Sequence, residues 1–175
     1  MHDLDGHFVV RHSIVRTIAA GVAAGVAMNA IMLVTFGLTG LGWTWDGFLV
    51  DPRLQSEKLI AVWTRIEPLP LVVTDPALIG MGLILFGVGH AFIYRWLSPL
   101  LSGGVFARAV RLGALIFFLS FLFFEFFAPF NLFGEPLLLV ATELVFWACI
   151  AFGDAFALVA VMERGNRRIT SLARR

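Results

Sequence analysis

The sequence has too little charge for a water-soluble protein of its size. Only 14% of its 175 residues are charged, whereas 59% are hydrophobic. The mean hydropathy is +0.90. So little polar surface cannot cover a soluble globule, which predicts a lipid bilayer as the solvent for most of the chain. The net charge of +1 gives no indication of a nucleic-acid partner.

Cysteine and the usual catalytic motifs are also nearly absent. The single Cys149 cannot form an intrachain disulfide and belongs to no paired ligand spacing, so we predict a small core residue. The sequence contains no phosphate-binding glycine loop, H-E-x-x-H pair, C-x-x-C pair or G-x-S-x-G elbow. We therefore predict neither a metal site nor a cofactor.

Four long apolar runs fill most of the chain, at about residues 14–41, 76–97, 111–128 and 136–162. Each is long enough to cross a bilayer as a helix. The sequence predicts an all-α fold: one integral membrane domain over residues 1–175, built as a four-transmembrane-helix bundle. The first run lacks a cleavage site and is read as an uncleaved signal anchor. Residues 163–175 form a basic tail.

Local signals mark several helix ends. Asp75 followed by Pro76 is typical of a capped helix start. Pro129 is expected to end the third helix. Gly134 and Pro136 then indicate a tight turn and the start of the fourth helix, so the last two helices should form an antiparallel hairpin.

The loop at residues 42–74 carries a helical pattern of its own. Asp51-Pro52 predicts a helix start, and Glu67-Pro68 predicts its end. Between them, apolar residues recur at i, i+3, i+4 and i+7: Leu59, Val62, Trp63 and Ile66. The pattern predicts a short amphipathic helix at the membrane interface.

Basic residues are unevenly distributed around the predicted spans. Arginines flank both termini and the connection between the second and third helices: Arg11, Arg16, Arg95, Arg108, Arg111, Arg164, Arg167, Arg168, Arg174 and Arg175. The 42–74 loop has Arg53, Lys58 and Arg65, balanced by acidic residues, and the last hairpin has none. The asymmetry predicts cytoplasmic termini in a bacterial inner (plasma) membrane.

Carboxylates inside the apolar runs are the main candidate site. Glu125 and Glu143 each lie roughly 10 Å from the outer end of the last hairpin, at a rise of about 1.5 Å per residue. Asn29 is expected at a similar depth, so one polar layer could collect all three. Because an intramembrane charge costs about 3 kcal/mol, these side chains should face the bundle and either find partners or bind an ion or proton. Asn131 and Glu135 in the turn join this cluster as candidates.

The second and fourth helices offer secondary candidates. His90 and Tyr94 share one helix face, and Asp154 returns to within roughly 20° of the Glu143 face. We expect Asp154 to pair with Arg108 or Arg111. His90 has no evident partner in the sequence, and the other histidines lie near the N-terminus, which disfavours haem held by two histidines. A di-iron centre is disfavoured because Glu-x-x-His repeats are absent.

The stretch from Glu125 to Glu143 follows the pattern E-F-F-x-P-F-N-x-x-x-E-P-x-x-L-x-x-x-E-L. It resembles an uncharacterised family of bacterial four-helix integral membrane proteins. The resemblance covers mainly the last two helices. It implies a four-pass fold and transfers no activity, cofactor or catalytic residue.

Three functional hypotheses remain open. The first is a non-catalytic accessory or assembly subunit, in which the small residues Gly21 and Gly25 dock a partner helix or a second copy of the chain. The second is a small oligomeric proton- or cation-linked transporter or channel that uses Glu125 and Glu143. The third is an intramembrane enzyme or cofactor carrier that uses His90 and a carboxylate.

Overall fold

The computed structural model describes residues 13–164 as an assembly of helices. Four of them are long and apolar enough to span a membrane, which indicates a multi-pass membrane protein and confirms the predicted fold class. In chain order the helices are α1 (Ile14–Leu41), α2 (Glu57–Thr64), α3 (Leu71–Thr74), α4 (Pro76–Leu97), α5 (Val105–Leu132) and α6 (Leu137–Glu163).

Successive spanning helices run antiparallel. The "hairpin end" of the bundle contains Leu41, Pro76, Leu132 and Leu137, and the "terminal end" contains Ile14, Leu97, Val105 and Glu163. Helix α1 packs against both α4 and α6, and α5 packs against α6. α4 and α6 run in the same direction and make little backbone contact.

The start of α4 agrees with the sequence signals. Asp75 is the N-cap, its side chain accepts a hydrogen bond from the Leu78 amide at 3.1 Å, and Pro76 takes the first turn. At the start of α1, the Ser13 hydroxyl accepts from the Arg16 amide at 3.2 Å. Both caps satisfy amides that the helix itself leaves without partners.

Helix α5 is longer than predicted at both ends. It begins at Val105 rather than near residue 111, so Arg108 and Arg111 lie on its first turns instead of in the preceding loop. Their guanidinium groups reach the Gly103 and Ser102 carbonyls at the helix end, so both charges leave the apolar region. The helix also continues past Pro129 to Leu132, four residues beyond the predicted stop at 128.

Wide π-helical turns explain how α5 passes through Pro129. π segments cover Phe117–Phe121 and Phe126–Leu132 in α5, and a third covers Leu33–Leu41 in α1. In a wide turn the hydrogen-bonding register changes, so the absence of an N–H on proline is accommodated locally. All three segments lie in the half of the bundle toward the hairpin end.

The small residues of α1 pack inside the chain. A Cβ atom added to Gly21 would lie 2.4 Å from Val88 Cα, and one added to Gly25 would lie 2.4 Å from Ile84 Cα. On α4, a Cβ at Gly87 would lie 2.4 Å from the Gly21 carbonyl oxygen. The glycine stripe is therefore used for a close helix contact within the chain, between α1 and α4.

Alanines fill much of the remaining core. The buried cluster between α1, α5 and α6 includes Ala20, Ala24, Ala109, Ala151 and Ala155. These small side chains allow close helix packing without an aqueous driving force. The prediction that Cys149 is a core residue was wrong, because its side chain is exposed on the outside of α6.

The loop helix α2 is shorter than predicted. It begins after Ser56, whose hydroxyl accepts from the Leu59 amide at 3.3 Å, and not at Asp51-Pro52. Asp51 instead closes a turn with Arg53. Of the predicted apolar face Leu59 is buried, whereas Ile66 is exposed beyond the helix end.

We expect Gly21→Ala to destabilise the bundle by about 1–3 kcal/mol, because the added methyl group would overlap the α4 backbone. The matched control is Gly82→Ala, since a Cβ there meets nothing within 4 Å. Helix propensity changes equally in both variants and favours alanine. Thermal unfolding in one detergent would compare them, and equal melting temperatures would contradict the α1–α4 contact.

Candidate ion-binding site

Three buried glutamates meet near the hairpin end. Glu125 comes from α5, Glu135 from the connection between α5 and α6, and Glu143 from α6. One carboxylate oxygen from each lies within 4.8 Å of the other two. The side chains of Glu125, Glu135 and Glu143 are 0%, 2% and 8% exposed. We call these residues the glutamate cluster.

Two oxygens of the cluster have no hydrogen-bond partner. Glu125 Oε2 accepts from the Trp147 indole N–H at 2.8 Å, but buried Glu125 Oε1 accepts from nothing. Buried Glu135 Oε2 is likewise without a partner. Since buried polar atoms nearly always find partners, the two free oxygens point to a proton or an ion as their complement.

The loop before α2 covers the cluster from the hairpin end. The buried Gln55 side-chain amide donates to Glu135 Oε1, and its oxygen accepts from the Ser56 amide. The Ser56 hydroxyl donates to the Phe133 carbonyl at 3.1 Å, and the Lys58 ammonium donates to the Leu132 carbonyl. Residues 55–58 are thereby fixed to the turn that carries Glu135.

An aromatic shell separates the cluster from the rest of the bundle. The Trp147 ring stacks on Phe121, with centroids 4.6 Å apart, and contacts Phe36 at the same distance. Phe36 also packs against Phe146. Phe36 and Phe121 both lie in π-helical segments, so the wide turns help to position the aromatic rings around the glutamates.

Electrostatic repulsion limits the charge that the cluster can hold. Among residues 13–164, no lysine, arginine or histidine forms an ion pair with the three glutamates. At an effective dielectric constant of 20, two carboxylates within 4.8 Å repel by at least about 3 kcal/mol. The cluster must therefore retain protons or bind a cation.

Comparisons with protein-family models, curated proteins and solved structures find no match to this chain. The candidate site is consequently argued from its geometry alone.

The structure does not assemble the polar layer as predicted. Asn29 donates to the carbonyls of Gly25 at 2.9 Å and Gly80 at 3.1 Å, so it joins α1 to α4. It precedes Phe36 by seven residues, which places it roughly 10 Å farther toward the terminal end than Trp147. Asn131 is exposed on the hairpin. Glu125, Glu143 and Glu135 come together, whereas Asn29 and Asn131 do not join them.

Asp154 and His90 form a second buried pair. His90 Nδ1 lies 2.5 Å from Asp154 Oδ2, and the Asp154 side chain is fully buried. The expectation that Asp154 pairs with Arg108 or Arg111 was therefore wrong, as was the view that His90 lacks a partner. The Asp154 Oδ1 atom has no hydrogen-bond partner.

A third polar group lies at the terminal end. The hydroxyl of fully buried Tyr94 donates to Glu163 Oε1 at 2.8 Å, and the Arg108 guanidinium donates to the same oxygen at 2.9 Å. Arg108 thus pairs with the last residue of α6 instead of Asp154. Tyr94 follows His90 by one helical turn, so α4 presents both polar side chains toward α6.

Sequence reasoning missed the contributions of Gln55 and Trp147. Gln55 lies 80 positions before Glu135 in the chain, in a loop without a distinctive motif. Trp147 was not among the candidate residues chosen from the sequence. A tryptophan one turn after an intramembrane glutamate was the available signal, because a buried indole N–H requires an acceptor.

We expect the free energy of unfolding to fall less steeply with rising pH in Glu135→Gln than in the wild type. Burial raises the pKa of Glu135 above its ordinary value of 4.5, although the Gln55 amide opposes this. The native state therefore keeps a proton that the unfolded chain releases. The free energy of unfolding should fall as pH rises above 4.5 and through the native pKa, by at most about 1.4 kcal/mol per pH unit.

Unfolding would be measured against pH with a chelator present. The control is Glu57→Gln, which changes an exposed glutamate on α2 and should preserve the wild-type pH dependence. An unchanged slope in Glu135→Gln would show that Glu135 takes up no extra proton on folding.

We expect His90→Leu to cost about 3–5 kcal/mol, because it leaves Asp154 buried without its partner. The double variant His90→Leu with Asp154→Leu should recover much of this loss, since no buried carboxylate remains. Thermodynamic stability of the single and double variants would give the coupling energy. Additive effects would contradict a direct interaction.

Proposed function

We propose that this chain is a small proton- or cation-linked membrane transporter or channel, with the glutamate cluster as its ion site. One observation carries the proposal: three buried carboxylates approach within 4.8 Å, and two of their oxygens have no partner. Carboxyls this close to one another need a retained proton or a bound cation between them.

The proposed orientation places both termini in the cytoplasm of a plasma membrane. The arginines at the terminal end of the bundle support this, because positive residues are enriched on the cytoplasmic side. The glutamate cluster would then lie in the outer half of the bilayer, under the 55–58 loop. Ions would reach the cluster from outside the cell. The His90–Asp154 pair would lie deeper, between the cluster and the cytoplasmic side.

An oligomer forms part of the proposal. Four helices enclose little interior space, and the small-residue stripe of α1 is used within the chain. Helix α4 is the least covered span, with 17% of its central window buried. Its outer face includes Gly82 and Gly89, where a Cβ would meet nothing within 4 Å. This face is the proposed contact between copies.

The accessory-subunit hypothesis remains the second candidate. The open α4 face favours it as well, because Leu85 is 72% exposed and Phe86 is 66% exposed there. In that case the face would bind another membrane protein, and the glutamates would serve only to fix the helices. The two candidates differ in whether an ionisable group is needed at Glu143.

We expect Glu143→Gln to reduce ion flux by at least about tenfold while leaving the protein folded. Glutamine keeps the size and hydrogen-bonding capacity of the side chain but cannot exchange a proton or carry charge. The measurements are proton flux and divalent-cation flux into proteoliposomes that contain the full chain, with an internal dye sensitive to pH or to the cation. Glu57→Gln is the exposed control.

Flux in Glu143→Gln equal to that of the wild type would overturn the transport proposal. Absence of wild-type flux under opposite pH gradients, with divalent cations present and absent, would also overturn it. Retention of a stoichiometric protein partner by both wild type and Glu143→Gln would then favour the accessory subunit.

A further inference from the structure

We infer that the ion held by the glutamate cluster is a hard divalent cation of calcium size. This inference rests on the proposed function, because it specifies the ion at the same site. It follows from the chemistry of the donor atoms, from their number and from two oxygens that accept no hydrogen bond.

The donor atoms are all carboxylate oxygens. Hard cations such as Ca²⁺, Mg²⁺ and Mn²⁺ prefer oxygen ligands, whereas Zn²⁺ and Cu²⁺ usually take histidine or cysteine ligands as well. Within the described part of the chain, the group that could hold a metal comprises Glu125, Glu135 and Glu143. His90 is bound to Asp154 elsewhere, and Cys149 is exposed.

The number of carboxylates favours Ca²⁺ within this class. One ligand oxygen from each of three buried glutamates lies within 4.8 Å of the others. Ca²⁺ accepts several protein carboxylates in a flexible arrangement, whereas Mg²⁺ requires a nearly octahedral one and usually keeps several waters beside one or two carboxylates.

The number of oxygens is also suitable. Each of the three carboxylates offers at least one oxygen, and waters can complete the roughly six to eight oxygen ligands that Ca²⁺ takes. Glu125 Oε1 and Glu135 Oε2 are buried and accept no hydrogen bond, so they can bind an ion without losing a partner. A divalent charge would offset the mutual repulsion of the carboxylates.

Neighbouring residues hold the carboxylates in position. Trp147 donates to Glu125 Oε2, and Gln55 donates to Glu135 Oε1. Glu125 and Glu135 therefore each keep one oxygen held by a neutral donor, while the other oxygen accepts no hydrogen bond. Gln55 and Trp147 are positioning residues here, and neither needs to bind the ion itself.

The loop at the hairpin end provides the route of entry. Buried Gln55 contacts Glu135 directly and immediately precedes the segment that leads to α2. Glu57 on α2 is exposed to the surroundings. Movement of residues 55–58 away from the turn would uncover the site and break the hydrogen bonds to Phe133 and Leu132. Ion binding and closure of this loop should therefore occur together.

The test is titration of the purified full chain in detergent with Ca²⁺ and, separately, with Mg²⁺. Calorimetry would give the affinity, at about pH 8 so that fewer protons compete. We expect wild-type protein to bind Ca²⁺ with one ion per chain, at least about tenfold more tightly than Mg²⁺. The melting temperature should rise with Ca²⁺ concentration, since the ion binds the folded state.

Two variants locate the site. Glu143→Gln should weaken Ca²⁺ binding by at least about tenfold, and Glu57→Gln should leave it unchanged. Glu135→Gln is the second test variant, because this residue lies in the turn outside the spanning helices, where a folding defect is less probable. Equal Ca²⁺ affinity in either cluster variant and the wild type would overturn the inference.

Flux and Ca²⁺ binding measured together distinguish failure of this inference from failure of the transport proposal. Proton flux that depends on Glu143, together with no Ca²⁺ binding up to about 10 mM, would overturn the calcium-size inference and leave the transport proposal standing. Selective Ca²⁺ binding without any flux would support this inference and overturn transport. Mg²⁺ binding as tight as Ca²⁺ binding would overturn the assignment of a calcium-sized ion.

Discussion

A carboxylate inside an apolar bundle needs a partner, and this constraint organises the structure. Most of the buried acids contact a donor from another part of the chain. Glu125 has the Trp147 indole, Glu135 has the Gln55 amide and Asp154 has His90. Without water to solvate them, the buried acids are stabilised by these contacts, which also link separate segments of the chain. The incomplete partnering at the glutamate cluster is therefore the exception on which the functional proposals rest.

The spans were predictable because their signal is local. A run of apolar residues reveals a membrane helix by length alone, and Asp75 with Pro76 marks a start through contacts within one turn. The end of α5 was not predictable from Pro129, because π turns carry the helix through it. Those turns also shift later residues around the helix axis. The regular α-helical period of about 3.6 residues per turn therefore could not predict which α5 residues face the bundle.

The candidate site was predicted only in part. Glu125 and Glu143 were identified because carboxylates within apolar runs are costly. A glutamate at the position of Glu135 is also common where a helix starts, so the sequence alone did not distinguish that role from a site residue. Only the folded hairpin brings it close to Glu125 and Glu143. His90 and Asp154 pair across 64 positions in sequence, and Asn29 finds backbone carbonyls on α4. Contacts over such separations depend on helix register, which composition does not encode.

The two polar contacts between α4 and α6 have unequal spacing. On α4, Tyr94 follows His90 by four residues, or roughly 6 Å of rise, whereas on α6 Glu163 follows Asp154 by nine, or roughly 14 Å. Evenly spaced contacts could be remade after one helix slid by a turn of about 5.4 Å. Unequally spaced contacts cannot be remade in this way, because movement of one helix along the other breaks both contacts together. Two side-chain contacts thus define a single longitudinal alignment for helices whose backbones hardly touch.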